Sequence, residues 1–458
     1  MKFVFICYYF YSYPLAYHLH DEGYEVIVGV VENKKDLKLP GDKDDETPLE
    51  RRRRLSTYKG MIRKHSLEDV MKFLKSVPAD ERDDYFIFFD YSDMYVISEQ
   101  IMAMGFKNGM FPTKFYYEME KERDKAKDFV KKHYDRIVVE AEYPFSKAQD
   151  AIDFVEDSED IWVLKGNGDV GAKTVVPYSS DLSHAKKMIK DALIKDGNLY
   201  EMGGFILEKK IQNCLELTPV MVFYNGEYVY SLVELENKEY GAGNIGIQKG
   251  GNQALSIRTK KNCELNAIAF PEIVYQLAKK QPGLSIYDAG LLYDGKNFYF
   301  TEFCAMRFGY DGIFSEIVMR DDGEPFVGAY FEDVINGVSP LKNKYGVSVR
   351  LFNNEGNREC LREPKDDIPI MWYPSVEDNM FLYSVKKQGD DIMTVGGMDF
   401  VGCMTGAADT LEAAVNKTYA RVDKFDFEQL YYRYKGDFLA TDYKTSIPNR
   451  LEAIKRFL

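Results

Sequence analysis

YDAGLLYDGKNFYFTEFCAMRFG, residues 287–309, reads as a β-hairpin whose second strand runs out into a carboxylate, a thiol and a cation. Two apolar, alternating runs bracket Asp294-Gly295, a dipeptide that favours tight two-residue turns. Glu302, with Asp288 as a companion, supplies hard oxygen donors of the kind Mg²⁺ takes, one or two carboxylates beside nucleotide phosphates. Arg307 adds a planar, permanent positive charge suited to a phosphoryl or acyl-phosphate group. Read alone, the same residues also suit a plain hairpin with a surface ion pair.

Working outward, three further elements precede it in a telling order. VLKGNGDVGAKTVV (163–176) ends an apolar strand on Lys165 and passes into a glycine-containing turn with a second cation, Lys173. Free backbone N–H groups and ammonium charge at such a turn suit phosphate oxygens. FILEKKI (205–211) is an extended segment in which Glu208, with Lys209 and the neighbouring backbone, can meet an adenine edge, and Glu216 can take ribose hydroxyls. GAGNIGIQKGG (241–251) reads as a glycine-rich loop that lets backbone approach a ligand closely, with Asn244, Gly246, Gln248, Lys249, Gly250 and Gly251 as candidate substrate contacts. Taken singly, each also fits a bland role: a hairpin turn, an edge strand, a surface loop.

The remaining chain frames these motifs. Alternating strand and helix signals over residues 1–110 (FVFICYY, EVIVGVV, DYFIFFD) predict a parallel α/β sheet that binds something at its strand ends. Residues 111–335 read as α+β: a charged helix EMEKERDKAKDFVKKHY, strands, and a long helix CELNAIAFPEIVYQLAKKQ. Residues 336–458 read as a small strand-rich module with one helix, TLEAAVNKTYARVDKF, capped by Asp409 or Thr410. At 458 residues, with 45% hydrophobic and 29% charged, the chain is a multidomain globular protein. A net charge of −14 argues against long nucleic acid as a partner. The basic run Arg51–Arg54 beside Asp42–Glu46 reads as a solvated helix start. The six cysteines show no metal or disulfide spacing, which suggests a reducing cytoplasm. No stretch has the length of a membrane span, and MKFVFICYYFYSYPL reads as a first buried strand.

The ordered set (basic residue, strand lysine, hinge glutamate, glycine-rich loop, Glu/Arg hairpin) resembles the ATP-grasp superfamily, and its details resemble glycinamide ribonucleotide synthetase. EKERDKAKDF (120–129) is similar to the helix opening that family's central domain, where Arg123 stands for the nucleotide-binding basic residue. GAGNIGIQKGGNQA is similar to the family's GDGDTGPNTGGMGA without a gap, and TEFCAMRFG to its LEFNARFG. MTVGGMDFVGCMTGAADTLEAAVNKTYARVDKFDF and YYRYKGDF match its C-terminal domain, so the likeness is good over about 111–440 and poor before that. The resemblance implies a fold of N-terminal α/β domain, ATP-grasp central domains with a nucleotide-clamping subdomain over about 122–195, and a small C-terminal domain. It also implies a chemistry: ATP and Mg²⁺ (or Mn²⁺), a small carboxylate and an amine, an acyl phosphate, an amide, with the chain a monomer or homodimer. Arg307 and Lys173 become the catalytic cations; Arg123, Lys165, Glu208, Lys209 and Glu216 hold the nucleotide, and Glu302 and Asp288 the metal.

Departures from the pattern fall on the family's own substrates. Its glycine-rich phosphate turn after the first strand is here CYYFYSYPLAYHL (7–19), without a glycine. Its Pro-Glu-Ala-Pro-Leu segment is Asp90-Tyr91-Ser92-Asp93-Met94, so an amine met by tyrosines and by Asp90 and Asp93 replaces phosphoribosylamine. The family's second loop Asp is Asn244, its Asn-Thr pair is Gln248-Lys249, and its Glu-x-Asn is Glu302 followed by Cys304, a poor Mg²⁺ ligand. Three functions accommodate this: a ligase joining a glycine-like amino acid to another amine, such as a modified nucleotide; a divergent phosphoribosylamine–glycine ligase; or a nucleotide-binding protein with impaired catalysis.

Overall fold

The structure, a computed structural model, describes residues 1–458 except 10, 38–45, 167–173, 179, 180, 305–310, 322, 324–326, 354–364 and 397–399. The chain folds as two compact units: Met1–Tyr116 with Leu217–Asp288 and Cys304–Leu458, and Tyr117–Glu216 with Ala289–Phe303. The boundaries expected at 110 and 336 fall inside the first unit.

In the first unit, strands Lys64–Ser66, Glu25–Val30, Lys2–Cys7 and Tyr85–Phe89 lie side by side in that order, all parallel. The apolar runs read from sequence become central strands because both faces are covered, and Val4, Ile6, Ile87 and Phe89 are wholly buried in one cluster. Only Lys64–Ser66 was illegible, since its KHS carries no β signal. A second, antiparallel sheet orders Met380–Leu382, Phe400–Ala408, Tyr345–Asn353, Ile245–Arg258, Glu227–Gly241, Leu215–Tyr224 and Leu284–Asp288. The mixed α/β character expected from the motifs is what the chain adopts.

The second unit is built on strands Glu142–Phe145, Phe205–Lys209 and Trp162–Gly166, antiparallel in that order. Helices Ala148–Asp157 and Leu182–Gly203 cover one face, where Ala151, Val155, Leu164, Ile189, Leu193 and Phe205 form a dry core. The hairpin Gly290–Tyr293/Phe298–Glu302 forms as expected and takes Ile137–Val138 alongside in parallel.

Four expectations change. The long helix after residue 263 is two, Glu264–Ala269 and Glu272–Lys280, because Pro271 lacks an N–H and forces its predecessor out of helical geometry. The charged helix is also two, Lys114–Lys121 and Arg123–His133, parted at Glu122 with φ −102° and ψ 88°. The C-terminal region carries helices Lys435–Phe438 and Ile447–Ile454 besides Leu411–Val422, whose N-cap is Thr410. The basic run is not wholly solvated: Arg54 is buried, pairs with Glu46 at 2.6 Å, donates to the Val31 and Glu32 carbonyls, and lies 4.2 Å over the Tyr8 ring. Residues 42–45, the acidic neighbours, lie outside the described residues.

One buried polar cluster ties a helix of the first unit to its large sheet. Glu316, on Asp311–Arg320, accepts hydrogen bonds from the Tyr230 and Tyr330 hydroxyls. Burial pushes its carboxyl up to about 7 against the counter-pull of the two tyrosines. The raised value means the folded state favours protonated Glu316. Its stabilising effect is full below the unfolded value near 4.5 and is lost as pH rises through about 7. Glu316→Gln keeps an acceptor and removes the ionisation. Thermal melts from pH 5 to 8 should show no gain at pH 5 and, at pH 8, stabilisation of about 1–3 kcal/mol; parallel curves for both proteins at every pH would refute the assignment.

Candidate active site

The second unit gathers charge on one face of its small sheet. Glu142 and Glu208 stand directly opposite on neighbouring strands, a like-charge pairing that would be unfavourable alone. Lys127, from helix Arg123–His133, inserts its ammonium between them, 2.6 Å from Glu142 Oε2 and 2.5 Å from Glu208 Oε2. Lys165, on the other flanking strand, reaches Glu208 Oε1 at 3.0 Å. Relative exposure is 2% for Lys127, 6% for Glu208 and 9% for Lys165, so solvent screens these contacts little. Burial would raise the Glu208 carboxyl, but Lys165 and Lys127 hold it below the usual carboxylate range.

Lys165 and Glu208 were expected from sequence, and the fold brings them together. Lys127 and Glu142 were missed. The available signal for Lys127 was its position one turn after Arg123 on the same helical face. Lys209 follows Glu208 on the strand and so lies on the opposite face, where its ammonium pairs with exposed Asp160 at 2.8 Å. Glu216 is half-buried near the start of Leu215–Tyr224.

The hairpin's Glu302 is paired across the ladder with Gly290, and a Cβ at 290 would come within 2.5 Å of Thr301 Oγ1. Only glycine admits that approach. Glu302 is half-exposed, and Arg123 Nη1 stands 3.7 Å from its Oε2. The nucleotide-side cation and the metal-side carboxylate expected from separate motifs are thus neighbours. In the first unit, Asp288 is buried and its Oδ1 accepts the Cys304 backbone N–H at 2.6 Å. The catalytic candidates Lys173 and Arg307 lie outside the described residues. Among the described residues, no group of three or more His, Cys, Asp or Glu side chains forms a metal cluster.

The glycine-rich stretch is a hairpin rather than a loose loop. Glu227–Gly241 and Ile245–Arg258 pair across it, with Asn244 at the turn (φ +55°). Gly246 follows on the return strand, and Gln248 Nε2 donates to Glu239 Oε1 at 3.3 Å. Lys249, Gly250 and Gly251 fall in an irregularity of the ladder, between the pairs Glu239–Gln248 and Asn237–Gln253.

At the carboxyl end of the parallel sheet, Asp90 is fully buried and its Oδ1 accepts both the Ser12 N–H, at 3.0 Å, and the Ser12 hydroxyl. Burial pushes the Asp90 carboxyl up to about 6. Its observed work is to fasten Ser12, the residue before helix Tyr13–Asp21. Tyr9 stands over that segment with ring centroids 5.4 Å from Tyr91 and 5.8 Å from Tyr11, and its hydroxyl donates to buried Asp93 at 3.4 Å.

No protein-family model matches the chain. Among curated relatives, a phosphoribosylamine–glycine ligase of Clostridium acetobutylicum is 23% identical over 341 residues, 70% of this chain and 76% of that one. Among solved structures, a phosphoribosylamine–glycine ligase of Thermotoga maritima aligns with a TM-score of 0.64 at 16% identity, over 94% of this chain and 99% of that one. The biotin carboxylase domain of Hydrogenobacter thermophilus 2-oxoglutarate carboxylase, in complex with MgADP, ADP and bicarbonate, aligns at 0.60 with 12% identity, over 100% and 98%. Fold, motif order and relatives point the same way: the chain is similar in sequence to phosphoribosylamine–glycine ligases and shares its fold with them and with biotin carboxylases.

Proposed function

We propose that the chain is an ATP-dependent carboxylate–amine ligase whose amine is not phosphoribosylamine. The observation that carries the first half is the buried Lys127–Glu208–Lys165 set beside the Arg123–Glu302 pair. Both Glu208 oxygens are engaged by lysines, so the adenine edge falls to the backbone just after Glu208 rather than to its carboxylate. Lys165 and Arg123 meet phosphate oxygens, and Glu216 the ribose. Glu302 fits Mg²⁺, being an accessible hard oxygen donor. Mg²⁺, when bound, neutralises charge on the transferring phosphoryl group.

The reaction then runs in two balanced steps. A carboxylate oxygen of the first substrate attacks the γ-phosphorus of ATP, giving an acyl phosphate and ADP. The amine nitrogen attacks the acyl carbon, phosphate leaves with the C–O bond electrons, and the nitrogen gives up a proton to yield the amide. Preset cations do most of the work in both steps.

The second half rests on Tyr9, Tyr11 and Ser12 together with Asp90, Tyr91 and Asp93. A phosphate needs a nest of N–H groups, and here Asp90 anchors a segment whose tyrosines pack on one another beside a second carboxylate. Carboxylates repel a phosphate and attract an ammonium group. The amine is therefore uncharged or cationic at the end facing Tyr9, Tyr91 and Asp93.

ADP release from ATP and Mg²⁺ tests both halves. We expect none above background with phosphoribosylamine plus glycine, and turnover with glycine or another amino acid plus a non-phosphorylated amine in a panel. Efficient turnover of phosphoribosylamine would restore the purine-precursor reaction; silence throughout, with ATP bound, would favour a binding protein. With an active pair, Glu302→Ala should lower turnover by at least about 100-fold without shifting the melting temperature, since the side chain is half-exposed; retained activity would remove it from the metal site. Lys127→Met should cost about 3–5 kcal/mol in denaturant unfolding, the penalty for an uncompensated buried charge, and should weaken ATP binding; an unchanged midpoint would mean that Glu142 and Glu208 do not need the bridge.

A further inference from the structure

The glycine-rich hairpin is gripped by side chains that enter the chain some hundred to two hundred residues later, all within the first unit. At its tip, Asp437 Oδ1 accepts the Gly243 N–H at 2.7 Å and the Tyr443 hydroxyl at 3.2 Å. Asp437 Oδ2 is held by Arg433 through Nε at 2.8 Å and through Nη2. Arg433 Nη1 reaches the Glu239 carbonyl at 3.0 Å and Asn244 Oδ1 at 2.9 Å. The Asn244 amide completes the circuit by donating to Thr445 Oγ1 at 3.1 Å. Arg433 is 0% exposed and Asp437 2%, so this ion pair survives desolvation only because its remaining donors and acceptors are matched.

A second grip holds the bulge. Arg350 Nη1 donates to the Lys249 carbonyl at 2.6 Å, while Asn252 Nδ2 bonds the Lys238 and Glu239 carbonyls at 2.9 and 2.6 Å. Gly250 has φ +78°, and a Cβ there would lie 2.8 Å from Arg350 Nη1. The guanidinium therefore occupies the space a side chain at 250 would need. Below the bulge, Arg450 Nη2 donates to Asn237 Oδ1 at 2.6 Å, and Asn237 Nδ2 to Gln253 Oε1 at 2.9 Å.

We infer that Arg433, Asp437 and Arg350 are positioning residues: the C-terminal segment is a clamp that presets the backbone of residues 243–250 before any substrate arrives. The inference rests on the reading above that this hairpin meets a substrate. It reassigns Asn244, which sequence offered as a substrate contact. Its amide is spent on the clamp, and asparagine suits the place because one carboxylate, Asp437, already claims Arg433. A clamp of this kind moves the ordering of a binding segment from the encounter into folding.

Amide hydrogen exchange separates this from a general packing role. Asn244→Gly keeps the left-handed backbone accessible and removes only the tether; Tyr443→Phe and Asp437→Asn weaken the same circuit from its other side. In each, exchange of the 243–250 amides should rise by about tenfold or more, the effect of losing a charge-assisted hydrogen bond. Exchange in the parallel sheet and the affinity for ATP should hold within about two-fold. With an active pair, the KM for carboxylate or amine should rise while the KM for ATP does not. Unchanged exchange at 243–250 in Asn244→Gly and Tyr443→Phe, or exchange that rises evenly along the chain with a fall in melting temperature, overturns the clamp. Asp437→Asn is the variant most prone to misfold, and the other two decide without it. Exchange is measured without substrate, so an inactive panel would sink the ligase reading and leave the clamp standing or falling by itself.

Discussion

The Lys127 ammonium between Glu142 and Glu208 is the contact on which the charged face of the second unit's small sheet depends. Two carboxylates face each other across adjacent strands, and without a cation one of them would take a proton or the strands would part. With Lys127 in place, Glu208 stays ionised inside the sheet and holds Lys165 by its other oxygen. A strand lysine is a flexible point charge, free to wander unless a partner holds it. The buried glutamate gives it an address, and Lys127 keeps the glutamate charged.

The same economy appears in the first unit with the signs exchanged. Arg433 is wholly buried and satisfied by Asp437, a carbonyl and the Asn244 amide, and through them the chain's last segment takes hold of a hairpin formed far earlier. At the parallel sheet, Asp90 grips Ser12 and so fixes the start of helix Tyr13–Asp21. In each case a buried polar group is spent on backbone geometry, and the surface left to a ligand is what that geometry presents.

Much of this was readable in advance. The parallel strands, the hairpin ending at Glu302 and the helix capped at Asp409 or Thr410 follow from local patterns, because apolar periodicity and turn chemistry act over a few residues. That Lys165 and Glu208 pair was not legible, since they meet across strands 43 residues apart. Pro271 was legible too, and its power to break a helix was under-read. Lys127, Glu142 and Asp437 were not legible. One lysine among several in a charged helix carries no mark of burial, and Asp437 acquires its meaning from Gly243, distant in sequence.

Sequence by itself determined the local elements and their order: an ordered set of cation, strand lysine, hinge glutamate, glycine-rich segment and Glu302 hairpin resembles that of ATP-grasp proteins, because strand, turn and charge patterns are local. Only the tertiary structure decided which charges are held and which are presented. It turned Lys209 away from Glu208 by strand alternation, brought Arg123 to Glu302, and spent Asn244 on Arg433. The physical reason is that the ionisation and orientation of a polar side chain depend on its burial and its partners, and both are supplied by residues far away along the chain.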